Sequence, residues 1–136
     1  MENFNFKGSG QLGIFDGLMG NASELNVDHV QKEIKDILTR SENVKNAYKV
    51  IRDTFVFTDK RLILIDKQGV TGKKTEYLSI PYKSIVSFSV ETAGTFDLDA
   101  ELKIWVSGNS VPIQKKFNKS TNIYDVQSVL AEYVLS

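Results

Sequence analysis

Val86-Ser87-Phe88-Ser89-Val90-Glu91 and, after a turn, Leu98-Asp99-Ala100-Glu101-Leu102-Lys103-Ile104-Trp105-Val106-Ser107 alternate apolar and polar side chains at every step. Successive side chains of a strand point to opposite faces, so a period of two predicts two half-buried strands. Val86, Phe88 and Val90 face a core in the first, and Leu98, Ala100, Leu102, Ile104 and Val106 in the second. Ala93-Gly94-Thr95 is the turn between them. Gly108-Asn109 suits a two-residue hairpin, because both residue types tolerate positive φ. It leads into a last strand with Val111, Ile113 and Phe117 at one parity.

Upstream the same period runs back to Val44. Val44, Tyr48 and Val50 alternate with Lys45 and Lys49, and Phe55 and Phe57 lead through Thr58-Asp59-Lys60-Arg61 into the run Leu62-Ile63-Leu64-Ile65. These segments read as three strands. Asp66 to Lys74, with Gly69, Gly72 and three lysines, reads as a polar hairpin loop before a strand at Tyr77 to Ile80, and Pro81 ends that strand. Residues 44–117 thus predict seven half-buried strands. Residues 1–40 predict an N-terminal helical extension: Val27, Val30, Ile34, Ile37 and Leu38 form one apolar stripe, with Asn26 as N-cap. The first twenty residues mix Phe4, Phe6, Leu12, Ile14, Phe15, Leu18 and Met19 with five glycines, so that stretch needs a surface to dock on. At the other end Ile123, Val126, Val129, Leu130, Tyr133 and Val134 predict an amphipathic helix over 121–135, capped by Thr121 or Asn122. The fold class expected is α+β, mainly β: one domain over residues 1–136, with an antiparallel sheet whose open end the last helix covers.

The chain has 136 residues, 41% of them apolar and 25% charged, with 17 acidic and 17 basic side chains and no cysteine. A balanced charge removes the usual electrostatic case for nucleic acid. The missing cysteine excludes disulfides, thiolate nucleophiles and sulfur-ligated zinc. No segment combines a basic start with an apolar run, and none approaches bilayer length, which predicts a cytoplasmic location.

Four local motifs are more specific than the order of elements. Phe55-Val56-Phe57-Thr58-Asp59-Lys60-Arg61-Leu62-Ile63, Asp66 to Lys74, Ser79-Ile80-Pro81-Tyr82-Lys83-Ser84-Ile85 and Phe88 to Leu102 closely resemble the bacterial pleckstrin-homology-like (PH-like) family, over roughly residues 14–135. The resemblance implies a seven-stranded antiparallel barrel or sandwich capped by a C-terminal helix. It also implies closed cyclic rings of identical subunits, and no established activity. Eukaryotic relatives that grip phosphoinositides do so through a basic first hairpin; the matching turn here, at Arg52-Asp53, sets one Arg beside one Asp.

Gly69-Val70-Thr71-Gly72-Lys73-Lys74 is too short for a phosphate loop, lacks the Ser or Thr after its lysine, and joins two strands rather than a strand and a helix. Lys60, Arg61, Lys67, Lys73 and Lys74 could form a basic patch for an anionic headgroup if the hairpins bring them to one end of the sheet. Asp97, Asp99 and Glu101 are an acidic run short of the oxygens a divalent-cation site needs. His29 lies on a helix without companion ligands, and no nucleophile, base and orienting residue share a recognisable spacing. No metal, cofactor or catalytic residue is therefore called for, and the chain reads as a non-enzyme. Trp105 falls on the polar parity of its strand, beside Lys103 and Glu101, where a large aromatic needs cover. Phe15 and Leu18 of the N-terminal stretch are natural counterparts. The expectation is a homo-oligomeric scaffold that presents a polar surface to an unidentified protein partner; the alternative is peripheral binding to anionic membrane lipid through the basic loops.

Overall fold

Phe55, Val56 and Phe57 are fully buried, and so are Leu62 and Ile63, with Leu64 and Ile65 nearly so. Strands buried on both faces read as unbroken apolar runs. In the computed structural model, which describes residues 24–50, 53–68, 74–92, 100–117 and 122–136, these segments are the two middle strands of a four-stranded antiparallel sheet. Its members are β1 (Val44–Lys49), β2 (Asp53–Thr58), β3 (Arg61–Gln68) and β4 (Lys74–Pro81), in that order. A second, three-stranded antiparallel sheet holds β5 (Ile85–Glu91), β6 (Ala100–Val106) and β7 (Ile113–Phe117). The crossover between the sheets is a single 3-10 turn, Tyr82–Ser84.

Two apolar layers follow from the two faces of the first sheet. On one side Tyr48, Phe55, Phe57, Leu62, Leu64 and Ile80 meet Leu102, Ile104 and Phe117 of the second sheet. Ile123, Val126 and Leu130 of helix α2 (Ile123–Val134) close that layer. Phe117 meets Phe55 edge-on at 5.2 Å between ring centroids. On the other side Val44, Ala47, Val56, Ile63 and Ile65 are covered by Val30 and Ile34 of helix α1 (Val27–Glu33). The mainly β architecture with a C-terminal helix is therefore as the periodicity predicts. Asn26 caps α1 by accepting the His29 N–H at 2.9 Å, and Asn122 caps α2 by accepting from Tyr124 and Asp125.

Three local expectations are corrected. Val86 is 64% exposed, because a bulge between Ile85 and Ser87 turns it out while Ile85, Phe88 and Val90 face the core. Val111 is also exposed, since it precedes β7 and only Ile113 and Phe117 point inward. The loop expected from Asp66 to Lys74 is shorter, because Asp66, Lys67 and Gln68 pair with Glu76, Thr75 and Lys74 as strand. Gly108 takes φ 88° in the hairpin after β6, the left-handed backbone that only glycine adopts freely.

Among the described residues two charges are buried, each with a partner. Glu42, 1% exposed, accepts from Arg61 Nε at 2.9 Å, from Arg61 Nη2 at 3.0 Å, from the Thr58 hydroxyl at 2.6 Å and from the Thr39 N–H at 3.1 Å. The same guanidinium donates to the Ile37 carbonyl and to Ser79 Oγ, so one arginine joins the end of the α1 region to β3 and β4. The apolar stripe predicts a helix through Leu38, yet α1 stops at Glu33 and a 3-10 turn, Lys35–Ile37, follows. That tightening leaves the Ile37 carbonyl for Arg61. Burial by itself raises the Glu42 carboxyl; its hydrogen bonds from Arg61, Thr58 and Thr39, with the guanidinium charge, outweigh this and hold it below the ordinary carboxylate value. The second charge is Asp53, 7% exposed, whose carboxylate meets Lys115 Nζ at 2.5 Å and ties β2 to β7.

Arg61→Met leaves a buried carboxylate unpaired and should cost about 3 kcal/mol in urea unfolding, whereas Glu42→Gln should cost less, because Arg61 retains some access to water. Since the folded Glu42 carboxyl titrates below its ordinary 4.5, its contribution is complete above that value and is lost as pH falls through the folded one. Glu42→Gln should flatten this acid limb of the stability curve; an unchanged limb would contradict the assignment. At the other pair, Lys115→Met should destabilise by about 2 kcal/mol, and adding Asp53→Asn should recover part of the loss.

Candidate functional site: the outer face of the three-stranded sheet

The bulge in β5 and the alternation along β6 sort side chains cleanly between the two faces of the second sheet. Leu102 and Ile104 are buried, while Glu101, Lys103 and Trp105 lie on the opposite face and are half-buried. Strand register arranges that face in rows. Ser87 lies opposite Trp105; Ser89, Lys103 and Gln114 form the next row; Glu91, Glu101 and Lys116 form the third. Gln114 Nε2 donates weakly to Glu101 Oε2 at 3.4 Å. The face is thus a polar grid of small hydroxyls and both charge signs, with one indole at its edge beside the small Ser87. Such a surface suits directional contacts with a protein, in which an aromatic anchor is ringed by polar groups.

The basic residues do not gather. Lys60 sits in the turn between β2 and β3, whereas Lys67 and Lys74 lie at the far end of β3 and β4. Arg61 and Gln68 bound an eight-residue strand, so the two groups are roughly 20 Å apart. Arg61 itself is committed to Glu42, Ile37 and Ser79. Of the five residues expected to converge, the four described fall into two pairs, Lys60 with Arg61 at one end of the sheet and Lys67 with Lys74 at the other, because consecutive hairpins alternate between the two ends. Lys73 lies outside the described residues, as do Phe15, Leu18, Asp97, Asp99 and Arg52. In the first hairpin, Asp53 is turned inward onto Lys115 rather than outward.

Glu101 is the one member of the acidic run among the described residues, and no group of three or more His, Asp or Glu gathers among them as metal ligands would. His29 is exposed on α1. Among the described residues no helix is long and apolar enough to cross a membrane. Two tyrosine hydroxyls are engaged inside the fold: Tyr48 donates to Asp125 Oδ2 at 2.6 Å and Tyr82 to the Thr58 carbonyl at 2.7 Å. Burial pushes both phenols above their ordinary value, with the Asp125 carboxylate adding to the effect at Tyr48 and the neighbouring Tyr133 at Tyr82. Neither is available as an acid or base near neutral pH. Sequence reasoning missed Glu42, whose partner lies nineteen positions away. A carboxylate just before a strand carries no sign that it will be buried.

The family model for the bacterial PH domain matches residues 13–134. An uncharacterised protein of Bacillus subtilis (strain 168), YjqA, is 62% identical over 121 residues, covering 88% of this chain and 97% of its own. The crystal structure of a pleckstrin homology domain from Shewanella amazonensis SB2B superposes with a TM-score of 0.80 at 56% identity, covering 91% of this chain and 100% of that one. A DUF1696 family protein with a pleckstrin-homology domain from Shewanella loihica PV-4 gives a TM-score of 0.74 at 54% identity, over 82% of this chain and 96% of that one. Two packed antiparallel sheets, the closing helix and these matches across nearly the whole length agree: the chain belongs to the bacterial PH domain family.

Proposed function

We propose that this PH-like domain is a non-catalytic binding module that works as an assembly of identical subunits and offers the polar face of β5, β6 and β7 to a protein partner. The observation that carries the reading is half-buried Trp105 set among Lys103, Glu101 and Ser87 on an otherwise hydrophilic sheet face. Indoles concentrate where surfaces meet, because one side chain supplies both large contact area and a hydrogen-bond donor. The reading places the protein in an aqueous compartment of the cell, where such an assembly meets its partner.

The lipid alternative finds less support. Headgroup binding relies on several cations converging, and here Arg61 is internally paired while Lys60 stands at the opposite end from Lys67 and Lys74.

Light scattering at micromolar concentration should find an assembly of defined subunit number, and Trp105→Ala should shift it toward monomer without unfolding the domain. Since Trp105 is the single tryptophan, its emission reads this face alone, and acrylamide should quench it more strongly as dilution dissociates the subunits. A strict monomer with Trp105 unaltered would remove the assembly. Sedimentation with vesicles rich in anionic lipid should leave the protein in the supernatant; salt-sensitive pelleting lost on Lys67→Glu with Lys74→Glu would favour the lipid reading instead.

A further inference from the structure

A guanidinium holds its N–H donors in a rigid plane, and Arg61 spends most of them inside the fold. Nε and Nη2 grip the Glu42 carboxylate at 2.9 and 3.0 Å, and Nη2 also reaches the Ile37 carbonyl. The remaining nitrogen, Nη1, donates to Ser79 Oγ at 2.8 Å. Its second N–H has no acceptor among the described residues, and the arginine side chain keeps 22% of its surface open to water. One serine hydroxyl is thus set against a cation whose position is already fixed by a buried carboxylate.

Ser79 is also within reach from outside. It ends the exposed stretch Glu76–Ser79 of β4, the last strand of its sheet, which has no strand on its other side among the described residues. Its ladder partner Ile63 is buried in the layer that α1 covers, so Ser79 stands just beyond the limit of that cover. A neutral hydroxyl at an exposed position adds little to an arginine already paired with a carboxylate. A phosphate there adds much more, because its oxygens accept charge-assisted hydrogen bonds from both Nη1 hydrogens.

We infer that Ser79 is a phosphorylation site and that Arg61 receives the phosphate. In the step itself the serine oxygen bonds to the γ-phosphorus of a nucleoside triphosphate while the bond from that phosphorus to the bridging oxygen breaks. The nucleoside diphosphate leaves, and the hydroxyl proton passes to the base of the kinase. The phosphate meets Nη1 on the side of the guanidinium away from Glu42, so Nε and Nη2 keep their partners. Arg61 then stands between two anions, and the 3-10 turn that ends at Ile37 is tied more firmly to β4. Ser89 shares a row with Lys103, but no hydrogen bond joins them, and an ammonium lacks the planar fork that a phosphate matches. Ser79 belongs to the first sheet and Trp105 to the second, so the inference does not depend on the assembly or the partner face proposed above.

The protein isolated from the bacterium that encodes it, with phosphatases inhibited, should carry phosphate on Ser79 in tandem mass spectra; its absence through growth and stationary phase would overturn the modification. The full chain made with phosphoserine at position 79 should melt roughly 3 °C higher than the unmodified chain, whereas phosphoserine at the exposed Ser128 of α2 should give no rise. In an Arg61→Lys background the gain at position 79 should largely vanish, since lysine keeps the charge and loses the fork. No rise, or an equal rise in that background, would overturn Arg61 as the receiver. Amide exchange over residues 34–42 gives a readout that needs no arginine variant: it should slow in the phosphorylated chain, and unchanged exchange there would overturn the inference even if Arg61→Lys fails to fold.

Discussion

The double burial of β2 and β3 is the constraint on which the molecule depends. Phe55, Phe57, Leu62 and Leu64 need cover on one side, and Val56, Ile63 and Ile65 on the other. A single sheet cannot satisfy both demands, so the chain supplies a second sheet with α2 for the first face and α1 for the second. Each large apolar side chain moved out of water contributes about 2 kcal/mol. Every other element is placed relative to this pair of strands, including the outer face that carries Trp105, which exists because β6 spends its other parity on the shared core.

Burying both faces brings the turn between β2 and β3 close to the end of the α1 region, and the polar groups there need partners. Thr58, itself fully buried, accepts the N–H groups of Lys60 and Arg61 and donates to Glu42, while Arg61 fills the remaining valences of that carboxylate. A buried ion pair of this kind adds little net stability over a well-packed apolar replacement, but it penalises any arrangement that leaves one charge alone. It therefore fixes where the chain after α1 must lie on the sheet.

Most of the fold was legible in the residues because burial is written in periodicity. Leu102, Ile104 and Phe117 announce a one-sided sheet, and Ile123, Val126 and Leu130 a helix stripe, since in both cases the pattern repeats over several residues. What escaped depends on single events. The bulge that exposes Val86 leaves no mark in composition, and the hidden Glu42 is identified only by an arginine distant in sequence. The separation of Lys60 from Lys67 and Lys74 escaped for a topological reason: sequence shows that the lysines flank turns, whereas their placement depends on which end of the sheet each turn occupies. The outward parity of Trp105 was readable because it follows from the same alternation that fixes the core.

The stack of Tyr82 on Tyr133, 4.7 Å between centroids and 10° from parallel, links two distant parts of the chain. Tyr82 belongs to the short crossover between the sheets, and its hydroxyl is fastened to the backbone at Thr58; Tyr133 lies in the last turn of α2. The two flat rings thus join the crossover to the last turn of α2, so a change that displaces that turn also reaches the connection between the sheets and, through the Tyr82 hydroxyl, the backbone at Thr58.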